Sequence, residues 1–399
     1  MSGAAERIEA FFAERYGRET LYLPSGRLAL YLVFQEWLKP GDRLLLSPVD
    51  DDVVFFTVLA AGLRPVLGPL DPRTGNLDPD RIDEATWASL DAVMTTNLYG
   101  IPDRMDRLAE QCARHDLLLI EDACQALESA WDGRRIGGLS SVAAFSLTKH
   151  VDGVGGVLAF SDARRRSSLQ ASARKETLHP DLPTAARRAL SAAARGTKTG
   201  RALRRVGRLL VPPAAERPGH RMAYHKDEVL RAQAAGAGLD RFDRWVRVDN
   251  HQYRTTPTTS GVEQTVHHLE RLEESRRLRL DGARKLLDLG LTPPDVDLPY
   301  DTAFFRVPLF VRDREHVVHR LGRRGLALDY IYDPPLDEYA SADLADALPS
   351  PPEAIRWSRD VLPVDPLLAD KFLALLADIP ALEGVSPVRP QGGADGAVR

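Results

Sequence analysis

Residues 117–160 constrain this chain more than any other stretch. Leu117, Leu118, Leu119 and Ile120 form a short apolar run that breaks off at Glu121 and Asp122. A parallel strand buried on both faces ends this way when it delivers an acid at its C-terminal end. A second apolar run leads to Ser146 and Lys149, and Gly153, Gly155 and Gly156 open the backbone just beyond the lysine. R-L-L-L-S-P (Arg43 to Pro48) and Ala92–Thr96 also read as strands, and the segment from Met105 to His115 reads as a helix. Strands alternating with helices over short connections imply parallel βαβ units and an α/β fold. Open sheets of this kind place their active residues at the C-terminal ends of the strands.

Taken singly, Lys149 is a surface lysine after a strand and Asp122 a helix cap, and such residues are common. Taken together, in this order, they suit one cofactor, pyridoxal 5'-phosphate (PLP). A lysine amine forms a Schiff base with its aldehyde, and a carboxylate keeps the pyridine nitrogen protonated. A hydroxyl and backbone N–H groups hold the phosphate. Ser25-Gly26, just before an apolar-periodic helix, could be such a phosphate contact or simply an N-cap.

The strings N-L-Y-G-I-P-D-R-M-D (Asn97 to Asp106), I-E-D-A-C-Q-A (Ile120 to Ala126) and F-S-L-T-K-H…G-G-V-L (Phe145 to Leu158) resemble the DegT/DnrJ/StrS family of PLP-dependent sugar aminotransferases. The resemblance runs from about Ser25 to about Ile379, weakest in the middle. It implies a type I PLP fold: a large domain with a mostly parallel seven-stranded sheet and a smaller C-terminal α/β domain. It implies a homodimer that moves an amino group from an amino acid, glutamate by expectation, to a keto sugar or keto cyclitol in specialised metabolism. The sugar is usually nucleotide-linked.

Carried onto this chain, the resemblance implies that Lys149 holds the cofactor and Asp122 binds its ring nitrogen. Gln125 lies near its ring oxygen, and Ser146 and the Ser25-Gly26-Arg27 turn lie at its phosphate. Arg254 stands where the family has an Asn that reaches the partner subunit's cofactor phosphate. Relatives that dehydrate sugars replace the lysine by His, so Lys149 argues against that branch. Two departures stand out. An Asp near Asp51 takes the place of the aromatic residue that usually stacks on the ring, unless a register shift brings in Phe55 or Phe56. Ser146 lies three residues before the lysine rather than five, as in PLP enzymes of Cys and Met metabolism. A lyase or replacement enzyme of that type is the rival within the fold. A binding protein without turnover is the rival outside it.

The chain divides by expectation into an N-terminal helix (1–20), a large cofactor-binding domain (21–240), a small C-terminal domain (241–382) and a disordered tail (383–399). In the small domain, 304–311, 326–332 and 357–364 read as strands and 315–324 as a helix. Fifteen Lys or Arg against three acids between Arg164 and Arg221 mark a basic arm. A solvated surface, a cationic lid over a diphosphate and a membrane-docking helix compete for it. Nucleic acid is the weakest partner, because no binding motif accompanies the charge and the net charge is −4. Cys112 and Cys124 are the sole cysteines, which fits a reducing compartment. The N-terminus lacks a signal-peptide pattern, no run is apolar enough to span a bilayer, and the cytoplasm is expected. No histidine pair has metal-ligand spacing with other ligands, so no metal is expected.

Overall fold

The apolar runs pair into one twisted sheet flanked by helices. The computed structural model describes residues 3–179, 221–247, 252–299, 302–329 and 332–377. In chain order the large-sheet elements are α1 (Gly3–Tyr16), β1 (Glu19–Leu23), α2 (Gly26–Trp37), β2 (Arg43–Leu46), α3 (Asp52–Ala60), β3 (Arg64–Leu67), β4 (Ala92–Thr95), α4 (Met105–His115), β5 (Leu118–Asp122), β6 (Val142–Ser146) and β7 (Gly156–Phe160). The helix α5 (Arg166–Glu176) follows. Beyond it lie α6 (Leu239–Val246), α7 (Thr259–Glu270), α8 (Leu272–Leu287), β8 (Val307–Phe310), α9 (Arg314–Arg323), β9 (Asp346–Ala347), β10 (Val361–Val364) and α10 (Ala369–Ala377).

The sheet order is β1-β7-β6-β5-β4-β2-β3-β9. All neighbours are parallel except β7, which runs antiparallel to both β1 and β6. The sheet therefore has eight strands rather than seven. The extra one, β9, is two residues long and comes from the C-terminal part, pairing Asp346 with Val66 and Ala347 with Leu67. Arg43 and Arg64 hold it there through Asp346, at 2.6 and 2.5 Å. Two residues carry too little pattern to show in a sequence.

Alternation along the strands splits the core into two layers. Leu44, Leu46, Met94, Ile120, Ala144 and Leu158 pack on one side with α2 and α3. Leu45, Val93, Leu119, Ala143, Phe145 and Val157 pack on the other with α1 and α7. Helix α3 is buried from Val53 to Ala60, as an all-round apolar helix must be. A third cluster gathers β8, α9, β10 and α10 with Leu98, Tyr99 and Ile101 from the first half of the chain. There β8 pairs antiparallel with β10. The strand expected over 326–332 does not form among its described residues. Leu326 and Leu328 are instead buried as irregular chain after α9. Among the described residues, no helix is long and apolar enough to cross a membrane.

The same alternation separates Glu121 from Asp122. Glu121 is fully buried on the opposite face and accepts hydrogen bonds from the backbone N–H groups of Gly137, Leu139 (2.8 Å) and Ser140 (2.6 Å). One carboxylate thus ties down the loop before β6. Glu121→Ala would leave three donors without that acceptor. It is expected to lower stability by roughly 3–5 kcal/mol, since each buried donor left without an acceptor costs about 1–3 kcal/mol. A urea denaturation midpoint within error of wild type would refute this.

Candidate active site

Several strands deliver side chains to one edge of the sheet. β5 ends at Asp122, β6 ends at Ser146, and β2 leads into Asp50 and Asp51. Antiparallel β1 ends at the same edge, since Leu23 pairs with Gly156 and Gly156 with Ser146. A cavity of about 280 Å³ lies there. Ser25, Gly26, Arg27 and Gln125 line it together with Asp122, Ser146 and Lys149. Seven of the eight residues singled out in the sequence therefore share one cavity.

Asp122 is buried and its Oδ1 accepts the Cys124 N–H at 2.9 Å. Burial raises its pKa above the ordinary carboxylate value, and the Lys149 ammonium opposes the rise. The N-L-Y-G-I-P-D string forms the shelf beneath it. Asn97 takes up a left-handed conformation (φ 46°) and donates its side-chain amide to the Asp122 carbonyl at 2.9 Å. Asp103 accepts the N–H groups of Thr96 (3.0 Å) and Asn97 (2.7 Å), and the Asn97 side-chain oxygen accepts the Asp103 N–H at 3.1 Å. Gln125 is fixed on both sides of its amide. Its oxygen accepts the Tyr99 N–H at 3.1 Å, and its nitrogen donates to the Tyr332 hydroxyl at 3.1 Å.

At the other end of the cavity the backbone comes close. A Cβ on Gly156 would lie 2.4 Å from the Gly26 nitrogen and 2.5 Å from the Ser25 carbonyl carbon, so only glycine fits. Ser25 is an N-cap: its hydroxyl accepts the Leu28 N–H at 3.1 Å and donates to the Tyr253 carbonyl at 2.8 Å. The first intrahelical bond of α2 runs from Ala29 N–H to the Ser25 carbonyl, so the amides of Gly26 and Arg27 belong to the open, positive end of the helix. Arg27 turns one nitrogen to the Val246 carbonyl at 3.0 Å. Ser146 and Thr148 place their hydroxyls 2.9 Å apart on the same wall.

Asp50 and Asp51 make part of the lining acidic. Asp51 caps α3 by accepting the Val53 N–H, and Asp50 lies buried beside it. Among the described residues, no aromatic side chain lines the cavity. Phe55 and Phe56 are fully buried in the core, Phe56 stacked on Trp245 with 5.8 Å between ring centroids, so no register shift brings them in. Asp50 escaped the sequence reading; three consecutive acids after Pro48 were its signal. Its carboxylate accepts the Asp51 N–H at 2.7 Å and the Thr96 hydroxyl at 3.0 Å.

Burial, with Asp122 nearby, pushes Asp50 up to about 8 from an ordinary 3.8. The folded chain thus keeps a proton that the unfolded chain has released. That contribution to stability is full below about pH 4 and is lost as pH rises through about 8. The wild-type denaturation midpoint is therefore expected to fall more steeply between about pH 5 and 9 than that of Asp50→Asn. Equal slopes would refute the assignment.

Arg254 does not line the cavity. Its buried guanidinium donates to the Glu176 carbonyl at 2.8 Å and carboxylate at 2.9 Å, and pairs with Asp240. It clamps α5 to α6 within the chain. Cys124 is buried with its sulfur 3.7 Å from the Ala144 carbonyl oxygen, and burial pushes its thiol well above the ordinary value, as suits packing. The first part of the basic stretch is not a solvated arm. Arg165 pairs with Glu36 (3.2 Å), Arg166 with Glu19 (2.7 Å) and Glu9 (3.1 Å), and α5 buries Leu169 and Ala173. At the far end Arg221 pairs with Asp52 and donates to the Asp50 carbonyl at 3.0 Å. The stretch from 180 to 220, and the tail from 378, lie outside the described residues.

A mostly parallel sheet with a lysine and an aspartate at its C-terminal edge defines a type I fold of PLP enzymes. Residues 5–171 match the model of the DegT/DnrJ/EryC1/StrS aminotransferase family. It is 26% identical over 387 residues to a dTDP-4-dehydro-2,3,6-trideoxy-D-glucose 4-aminotransferase of Saccharopolyspora spinosa, covering 93% of this chain and 86% of that one. It is 32% identical over 181 residues to an L-glutamine:2-deoxy-scyllo-inosose aminotransferase of Streptomyces kanamyceticus, covering 42% of each. The chain spans about two fifths of the length of the first curated relatives it matches. The solved structure of Streptomyces venezuelae DesV in complex with a ketimine intermediate shares the fold, with a TM-score of 0.63 and 23% identity over 95% of this chain and 89% of that one.

Proposed function

We propose that this chain is a PLP-dependent aminotransferase that moves an amino group from an amino acid, glutamate first, to a keto sugar or keto cyclitol, the sugar being nucleotide-linked. One observation carries the reading: Lys149 and Asp122 line one cavity together with the N-terminus of α2. The residues fit the cofactor. The bare backbone at Gly156 and Gly26 leaves room beside the first amides of α2, and the hydroxyls of Ser146 and Thr148 stand near, as a phosphate needs. Lys149 would hold the cofactor covalently, Asp122 would face its ring nitrogen, and Gln125 would border the ring. When bound, the cofactor supplies an electron sink for the carbon that gives up its proton.

The chain's own residues do the rest. Among the described residues Lys149 is the one lysine lining the cavity; once the donor's amino group has taken its place on the cofactor, the freed Lys149 Nζ would take the proton from the donor's α-carbon and return one to the group that accepts it. Asp122, out of water and anchored by Asn97 and Cys124, offers its charge without moving. With the reading come a homodimer, carried by the family resemblance, and a cytoplasmic location, expected from the sequence. A PLP-loaded sample is expected to lose its visible cofactor band on adding glutamate, and to regain it on adding the right keto sugar. A band that neither glutamate nor glutamine alters would overturn the aminotransferase reading and favour the lyase chemistry that the S-L-T-K spacing suggests.

A further inference from the structure

Lys149 sits in a helix of four residues, Leu147–His150, followed by Asp152 in a left-handed conformation (φ 47°). One turn of helix does not hold its own shape. The turn is held from outside. His150 bonds through Nε2 to the Gln125 carbonyl at 2.8 Å, and Gly153 donates its N–H to Leu147 at 2.9 Å. The third brace is Arg279 on α8. Its guanidinium donates to the Lys149 carbonyl at 3.4 Å, to the carbonyls of Phe304 (3.3 Å) and Phe305 (3.4 Å), and to Asp365 at 3.2 Å.

Arg279 is 4% exposed. Burying a guanidinium is costly, and an apolar side chain of similar length often fills such a space without loss of stability. Packing alone therefore does not call for a cation here. The fork geometry does something packing cannot: it joins three separate segments at one point. One of them carries Lys149. Another carries Phe305, whose ring centroid lies 5.7 Å from Lys149 Nζ. The third, Asp365, is shared with Arg306 at 2.9 Å.

We propose that Arg279 is a positioning residue for Lys149: it pins the Lys149 carbonyl to the Phe304–Phe305 and Asp365 segments and so sets where the amine stands. The proposal builds on the aminotransferase reading, which gives the Lys149 amine its task. Its test does not depend on turnover. The full-length chain without cofactor is treated with a small acetylating reagent at fixed pH. The rate at Lys149 is followed by peptide mass spectrometry against the exposed Lys226 and Lys285. In Arg279→Met the Lys149 rate is expected to change about tenfold or more, within the range that a small misplacement causes, while the reference lysines keep theirs. Arg279→Lys, which keeps the charge but not the fork, is expected to fall between. An unchanged Lys149 rate in a folded Arg279→Met overturns the proposal; should that variant not fold, an unchanged rate in Arg279→Lys does so. The same samples loaded with PLP and reduced with borohydride report the function separately. A wild-type chain that traps nothing on Lys149 counts against the aminotransferase reading and leaves the acetylation result standing.

Discussion

Lys149→Ala is expected to abolish the visible cofactor band and to lower amino transfer by about 10⁴-fold or more, the scale on which enzymes lose activity when a covalent group is removed. The fold should survive. Lys149 is half-buried, and the bond its segment makes to Arg279 uses the backbone carbonyl, which alanine keeps. Added small amines are expected to restore part of the activity, because the space vacated by the side chain opens onto the cavity that Lys149 lines. Retention of the band in Lys149→Ala, in protein that melts like wild type, would remove Lys149 from the mechanism and the proposed function with it.

The second large effect concerns Asp122. Asparagine keeps the shape and can still accept the Cys124 N–H, and the Asp122 carbonyl remains on Asn97. What is lost is the charge. Transfer is expected to fall by about 10²–10³-fold, the scale for removing one preorganised electrostatic group, with little change in stability. A further signature follows from Asp50. The carboxylate of Asp122 is one cause of the raised pKa of Asp50. Without it, Asp50 should release its proton at lower pH, and the fall in stability towards alkaline pH should flatten. Full activity in Asp122→Asn would show that this carboxylate does not serve the ring nitrogen. An unchanged pH slope would show that the two acids are not coupled.

Much of this was legible in the chain because it is written in contiguous residues. Apolar runs closed by an acid or a hydroxyl produced β5 and β6, and the Ser-Gly step before an apolar-periodic segment produced the N-capped α2. The resemblance drew Asp122, Gln125, Ser146 and Lys149 into one list, and the structure draws them into one cavity. The weak points were those where the partner is far away in sequence. Arg254, expected by resemblance at the partner subunit's cofactor phosphate, is held within its own chain by Glu176 and Asp240. Arg165 and Arg166 look like the start of a free basic arm until Glu36, Glu9 and Glu19 are seen to meet them. Residues 326–329 alternate like a strand but pair with no strand among the described residues.

The sequence by itself determined the class of fold, the strand ends that bear chemistry and the glycines that let backbones approach, since periodicity, strand-end chemistry and backbone freedom are local properties. Only the tertiary structure decided which acids share the cavity wall, that Asp50 is buried beside Asp51, that the string after Asn97 is the shelf under Asp122, and that Arg279 braces the turn carrying Lys149. These depend on side chains tens to hundreds of positions apart. Their burial and charge act on one another only once the sheet has closed and water has left the space between them.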